Sequence, residues 1–133
     1  MKNILFHKYT GAGNDFILID FEENSDFEPE AEQIRKMCCR FFGIGADGVL
    51  LYNDNKANRI SVKYYNADGL PGTFCGNGSR CILSYFCYKN KETDSPISFS
   101  FWEKSYSGWC NGRNSFSVNL NIPEISGLNL KID

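Results

Sequence analysis

Near the middle of the chain, the ten residues from Ser79 to Tyr88 include seven apolar or aromatic side chains, so a helix built from them keeps no face for water. Such a helix has to be enclosed by the rest of the fold. The chain has 133 residues, of which 42% are apolar, enough for one core and one domain. The expected arrangement is therefore a single α+β domain over 1–133, with strands wrapped around that central helix.

The other segments have the patterning such a wrapper needs. Ile4 to Tyr9 and Phe16 to Asp20 read as strands, joined by Thr10-Gly11-Ala12-Gly13-Asn14-Asp15, a turn rich in residues that tolerate positive φ, so a hairpin is expected. Pro29 to Phe41 carries acids early and bases late, with Ile34, Met37, Cys38 and Phe41 on one face. This predicts an amphipathic helix stopped by Gly43. Val49 to Tyr52 reads as a short buried strand, and Asn53 to Asn58 as a polar loop. Ile60, Val62 and Tyr64 alternate with polar neighbours in Arg59 to Tyr65. The same period recurs in Ile97, Phe99 and Phe101, and again in Phe116, Val118, Leu120 and Ile122. Pro123 to Asp133 is loosely patterned and is expected to fray.

A formal charge of −2 without long blocks of one sign argues against nucleic acid or an anionic membrane surface as partner. The longest apolar runs are about five residues, against roughly 20 for a membrane span. No transmembrane or signal segment is expected, and a cytoplasmic location follows. In that reducing setting the six cysteines are expected to be free thiols. With no CxxC pair and His7 the only imidazole, no metal site is expected.

Gly43-Ile44-Gly45-Ala46-Asp47-Gly48 spells GxGxxG, yet it follows a helix and precedes a strand, the reverse of the order that seats a pyrophosphate. It reads as a helix stop and a turn. Cys75-Gly76-Asn77-Gly78 comes immediately before the buried helix and leaves the amides of Gly76 and Asn77 at its positive end. A cysteine there has its thiolate form favoured; the other reading is a small buried cysteine before a glycine turn. Asn14 and Asn66 either hold their turns or contact a ligand. Cys81 and Cys87 read as packing residues of the helix, Cys38, Cys39 and Cys110 as core or bystander, with Cys110 in a loop-like stretch, and His7 as a packing or edge residue.

Three segments carry a resemblance. Lys8-Tyr9-Thr10-Gly11-Ala12-Gly13-Asn14-Asp15-Phe16, Phe42 to Gly48, and Tyr65-Asn66-Ala67-Asp68-Gly69 followed by Cys75-Gly76-Asn77-Gly78-Ser79-Arg80-Cys81 stand in the order and spacing of the N-terminal half of diaminopimelate epimerase. The resemblance implies a mixed, mostly antiparallel sheet around the central helix. It also implies a cofactor-independent isomerase of lysine and cell-wall biosynthesis that interconverts LL- and meso-diaminopimelate. In that chemistry one thiolate removes the α-proton and a thiol on the opposite face returns one, and the developing carbanion needs preorganised stabilisation.

Position by position, the resemblance makes Cys75 one of the two proton-transferring cysteines. It makes Asn14, Asn66, Gly76 and Asn77 the substrate contacts, Asp68 and Gly69 turn-formers, and Arg80 a scaffold residue. The chain departs from the family at Leu70 to Phe74, where a polar segment is usual, and at Gly48, where some members place a glutamine. Family enzymes are about twice this length on ordinary domain sizes. The second half, which supplies the partner cysteine, is expected to come from a missing C-terminal half or a homodimer partner. The isolated chain is then expected to be inactive. A truncated, non-catalytic remnant or an amino-acid-binding domain is the alternative. A proline racemase or phenazine-biosynthesis relative of the same architecture fits less well with Asn77 and the Gly11 to Phe16 segment.

Overall fold

The structure, a computed structural model, describes residues 3–25, 27–91 and 94–120. Seven strands form one sheet in chain order: β1 (His7–Gly11), β2 (Asn14–Asp20), β3 (Gly48–Asp54), β4 (Arg59–Asn66), β5 (Ile97–Phe101), β6 (Lys104–Gly112) and β7 (Ser115–Asn119). Helix α1 (Ala31–Cys38) crosses between β2 and β3, and α2 (Gly76–Asn90) between β4 and β5. Those two crossovers make their strand pairs parallel, while the other four pairs are antiparallel. The fold is α+β, with a mixed, mostly antiparallel sheet curled around α2.

Period-two alternation sends one set of strand residues to each face. Phe16, Leu18, Leu50, Tyr52, Ile60, Val62, Phe99 and Phe101 face inward and pack with Cys81, Ile82, Leu83, Tyr85 and Phe86 of α2. Ile17, Ile19, Val49 and Leu51 face outward and are covered by Ile34 and Cys38 of α1. Because β2 and β3 are covered on both faces, they read as continuous apolar runs. The hairpin between β1 and β2 closes through Ala12 and Gly13, at φ 48° and 90°, the left-handed pair that a two-residue turn between twisted strands requires. At the far end of the sheet the buried Asp20 carboxylate accepts from Tyr85 Oη at 2.8 Å and from Lys89 Nζ at 2.7 Å, which ties α2 to β2. Neither helix is long and apolar enough to cross a membrane.

Several boundaries differ from the sequence expectation. The first strand begins at His7, and Leu5 and Phe6 are exposed before it. Helix α1 is capped by Glu30, whose side chain and that of Gln33 satisfy each other's backbone amides, and it stops at Cys38. Cys39 turns extended, and Gly43, Gly45 and Ala46 donate back to Cys39, Met37 and Cys38. Phe41 therefore leaves the apolar stripe and, with Phe42, is more than nine-tenths exposed. Helix α2 begins at Gly76 rather than Ser79, because Cys75 is its N-cap.

The stretch that holds Cys110 is a strand, not a loop. The buried inward residue of β6 is Gly108, where an added Cβ would lie 2.7 Å from Leu83 Cδ1 and from the Ser117 carbonyl oxygen. Ile122, expected to end the last strand, and 123–133 lie outside the described residues.

Candidate functional site

Strand register gathers one end of the sheet into a single row. Phe16 pairs with Gly48, and Gly48 with Asn66, so β2 and β3 begin where β4 ends. Asn14 opens β2 at that end. Helix α2 starts there too, since a Cβ on Gly11 would lie 3.0 Å from the Asn77 carbonyl oxygen and from Cys81 Sγ. Asn14, Asn66, Cys75, Gly76 and Asn77 thus come from three elements, β2, β4 and α2 with its N-cap, to one place. Asn14, Cys75, Gly76 and Asn77 are half-buried there and Asn66 is exposed.

Cys75 sits in extended conformation at the N-cap of α2, and its Sγ accepts the Gly78 N–H at 3.4 Å. Its carbonyl oxygen accepts from the Ser79 amide and hydroxyl, both at 2.8 Å, which fixes the backbone. Gly78 packs against Leu50 and Cys75, where a Cβ would lie in ordinary contact at 3.4 Å from Leu50 Cδ2 and 3.5 Å from Cys75 Sγ. The N–H groups of Gly76 and Asn77 have no partner among the described residues. No acid stands in the first turn. The site thus offers a sulfur and bare amides at the positive end of a fifteen-residue helix.

The asparagine side chains are joined in one direction of donation. Arg80 donates to Asn77 Oδ1, Asn77 Nδ2 donates to Asn14 Oδ1, and Asn14 Nδ2 donates to Asp47 Oδ2 at 3.1 Å. Asn66 Oδ1 accepts from Tyr64 Oη at 2.8 Å. The carbonyl oxygen of each site asparagine is therefore occupied from inside the protein. What remains for a ligand is N–H: the second amide proton on Asn14 and Asn77, both on Asn66, and the first two amides of α2. A pocket edge built this way recognises an acceptor, and a carboxylate above all.

Asp47 and Arg40 brace the asparagine row, a placement the sequence does not announce. The Asp47 carboxylate takes the Asn14 side chain and the Asp15 N–H at 3.0 Å, and Arg40 bridges Asp15 and Asp47. Their partners lie far off in sequence, so no local pattern announces them. The Arg40 guanidinium and the Lys8 ammonium hold the Asp15 carboxyl far below the usual carboxylate range. A group so depressed contributes stability above its unfolded value of about 4, and that contribution is lost as the pH falls below it. Both cations are more than one-third exposed, which screens the pair. Asp15→Asn is therefore expected to cost about 1 kcal/mol at pH 7, with the gap from wild type closing below about pH 4. Urea denaturation across that range checks it.

The segment that delivers Cys75 is pinned along its length. The Asn66 N–H bonds to the Leu70 carbonyl, the Leu70 N–H to Asp68 Oδ1, and the Gly72 N–H to the Tyr64 carbonyl. Trp102 Nε1 donates to the Gly72 carbonyl at 2.9 Å, and Phe74 stacks on Tyr106 with ring centroids 4.4 Å apart. Leu70 to Phe74 is thus held by hydrogen bonds at Leu70 and Gly72 and by the stacked Phe74 ring, while the Leu70 side chain stays exposed. Gly48 has no room for a longer side chain, since a Cβ there would lie 2.6 Å from Tyr64 Cε2 and from the Tyr65 carbonyl oxygen.

The other thiols differ in kind. Burial pushes Cys38 and Cys81 up to about 11, so both stay protonated at neutral pH. Cys39 is half-buried and drawn below its ordinary value by the N–H groups of Phe42, Phe41 and Gly43. His7 lies at the opposite end of β2 from the site, 2.7 Å from Glu23 and packed on Tyr85.

The family model described as diaminopimelate epimerase matches residues 6–102. A diaminopimelate epimerase of Chlorobaculum tepidum is 51% identical over 74 residues, covering 56% of this chain and 28% of that protein. One of Prochlorococcus marinus is 35% identical over 136 aligned residues, covering 98% of this chain and 48% of the relative. The chain thus spans less than half the length of these curated relatives. Among solved structures, a methylitaconate-delta-isomerase superposes with a TM-score of 0.58 at 11% identity, covering 95% of this chain and 39% of that one. A PhzF-family phenazine biosynthesis protein of Bacillus anthracis gives 0.55 at 15% identity, covering 82% and 36%. At such identities the two structures share the fold alone, whereas the family model covers most of the sequence and all three glycine-rich segments. By that match, the chain belongs to the diaminopimelate epimerase family.

Proposed function

We propose that this chain supplies one half of a cofactor-independent epimerase site that interconverts LL- and meso-diaminopimelate. In this reading it is a single domain equivalent to the N-terminal domain of a two-domain enzyme. Cys75 is the thiol that exchanges the α-proton on one face. Gly76 and Asn77 hold the α-carboxylate at the helix N-terminus, and Asn14 and Asn66 complete the grip. The observation that carries the reading is the donor-only rim, in which the asparagine oxygens are occupied internally and N–H groups face outward beside one sulfur. Such a rim binds a carboxylate and stabilises the negative charge that spreads onto it when the α-proton leaves.

Inversion needs a second proton donor on the opposite face, and none of Cys38, Cys39, Cys81, Cys87 or Cys110 belongs to this row. A C-terminal half, or a second copy of the chain, has to bring it and has to exclude water from the carbanion. The isolated chain is expected to bind meso-diaminopimelate by calorimetry, with Asn66→Ala at least about tenfold weaker, and to give no LL-to-meso conversion. Clear conversion by these 133 residues alone contradicts the half-site reading. Absence of heat in wild type contradicts the substrate.

A further inference from the structure

Tyr64 fills the floor behind Asn66, and among the described residues its hydroxyl has no other hydrogen-bond partner. Its ring is wedged between two glycines: an added Cβ would come within 2.6 Å of it at Gly48 and 2.4 Å at Gly72. Edge contacts with Phe16 and Phe101, both at 6.2 Å between centroids, hold it from the inner core. The residue is 8% exposed, so it reaches a ligand only through another group. Its hydroxyl meets Asn66 Oδ1 at 2.8 Å. Burial, with Cys75 nearby, pushes the phenol up to about 12, so it remains a donor at neutral pH.

An asparagine on an exposed strand end ordinarily turns either its oxygen or its nitrogen outward. We infer that Tyr64 is a positioning residue that captures Asn66 Oδ1 from a ring wedged between Gly48 and Gly72, and so fixes the Asn66 NH₂ group outward as a donor to a substrate carboxylate. The ligand half of this inference rests on the proposed function. The orientation half stands on the geometry alone. Glycine at 48 and 72 is then part of the device, since any side chain at either position displaces the ring that carries the hydroxyl.

The test uses the whole ¹⁵N-labelled chain, with the Asn66 side-chain NH₂ signals assigned by their loss in Asn66→Asp. Tyr64→Phe keeps the ring and the packing. It is expected to leave backbone amide signals outside the site unchanged, to shift the Asn66 NH₂ pair, and to weaken meso-diaminopimelate binding about tenfold. Asn66→Asp keeps an acceptor for Tyr64 but replaces the outward donor with a carboxylate, and is expected to lose binding at least about 100-fold. An Asn66 NH₂ pair that sits at the same position in Tyr64→Phe and wild type overturns the orientation half. Unchanged affinity in Tyr64→Phe overturns the ligand half. Failure of the wild-type chain to bind overturns the substrate reading, while the NH₂ signals still decide the orientation.

Discussion

Cys75→Ser is expected to lower epimerisation by about 10³-fold in a chimera that joins this chain to the remaining half of the Prochlorococcus marinus relative. The variant keeps the N-cap, because a serine oxygen accepts the Gly78 N–H as well as a sulfur does, so the helix and the donor rim survive. What is lost is the proton acceptor, since a hydroxyl at a helix start remains far too weakly acidic to act as thiolate does. Binding of meso-diaminopimelate should stay within about threefold of wild type, as the carboxylate contacts are untouched. Conversion assayed by circular dichroism, beside calorimetric binding, separates the two effects. Epimerisation that persists in Cys75→Ser removes Cys75 from the chemistry.

The second large effect concerns folding. Gly43 opens the GxGxxG letters, and an added Cβ would lie 2.0 Å from the Lys36 carbonyl oxygen, 2.8 Å from that of Met37 and 2.9 Å from that of Cys39. All three are backbone atoms at the end of α1, held by the turn that brings Gly45 and Ala46 back to the helix. None can retreat without breaking that turn. Gly43→Ala is expected to cost about 3 kcal/mol or more, the upper end for overpacking, and to lower Tm by roughly 10 °C. The loss should reach the site, because the same turn leads into Asp47, the acceptor of the Asn14 amide. Thermal denaturation checks it, and a shift under about 2 °C would show that the turn yields freely.

Gly43 illustrates what was legible beforehand. Chain order marks it as a break after the helix, but the helix already ends at Cys38, and the reason Gly43 must be glycine is a contact with three carbonyls that only the folded turn creates. The strands with alternating apolar residues, β4, β5 and β7, announced themselves, as did the enclosed helix. Strand β6 did not, because its buried inward position is Gly108 and the volume its side chain would fill belongs to Leu83. The start of α2 was hidden because its first turn contains Gly76 and Gly78, which are poor helix formers. Cys75, Gly76 and Asn77 could be singled out by their placement at a glycine-flanked helix start, whereas Asn14 and Asn66 were marked as substrate contacts by the resemblance alone. Their shared polarity could not be read in advance, because Asp47, Arg40 and Tyr64 act on them across the sheet.

Alkylation of the six thiols by iodoacetamide at pH 7, with and without excess meso-diaminopimelate, tests most directly whether Cys75 is the reactive group of a carboxylate-binding site. Cys75 is expected to label well ahead of the buried Cys38 and Cys81 and to be protected by the ligand, while the half-buried Cys39 reacts equally fast in both conditions. A Cys75 that labels as slowly as Cys38 and Cys81, or at the same rate whether or not the ligand is present, would contradict it.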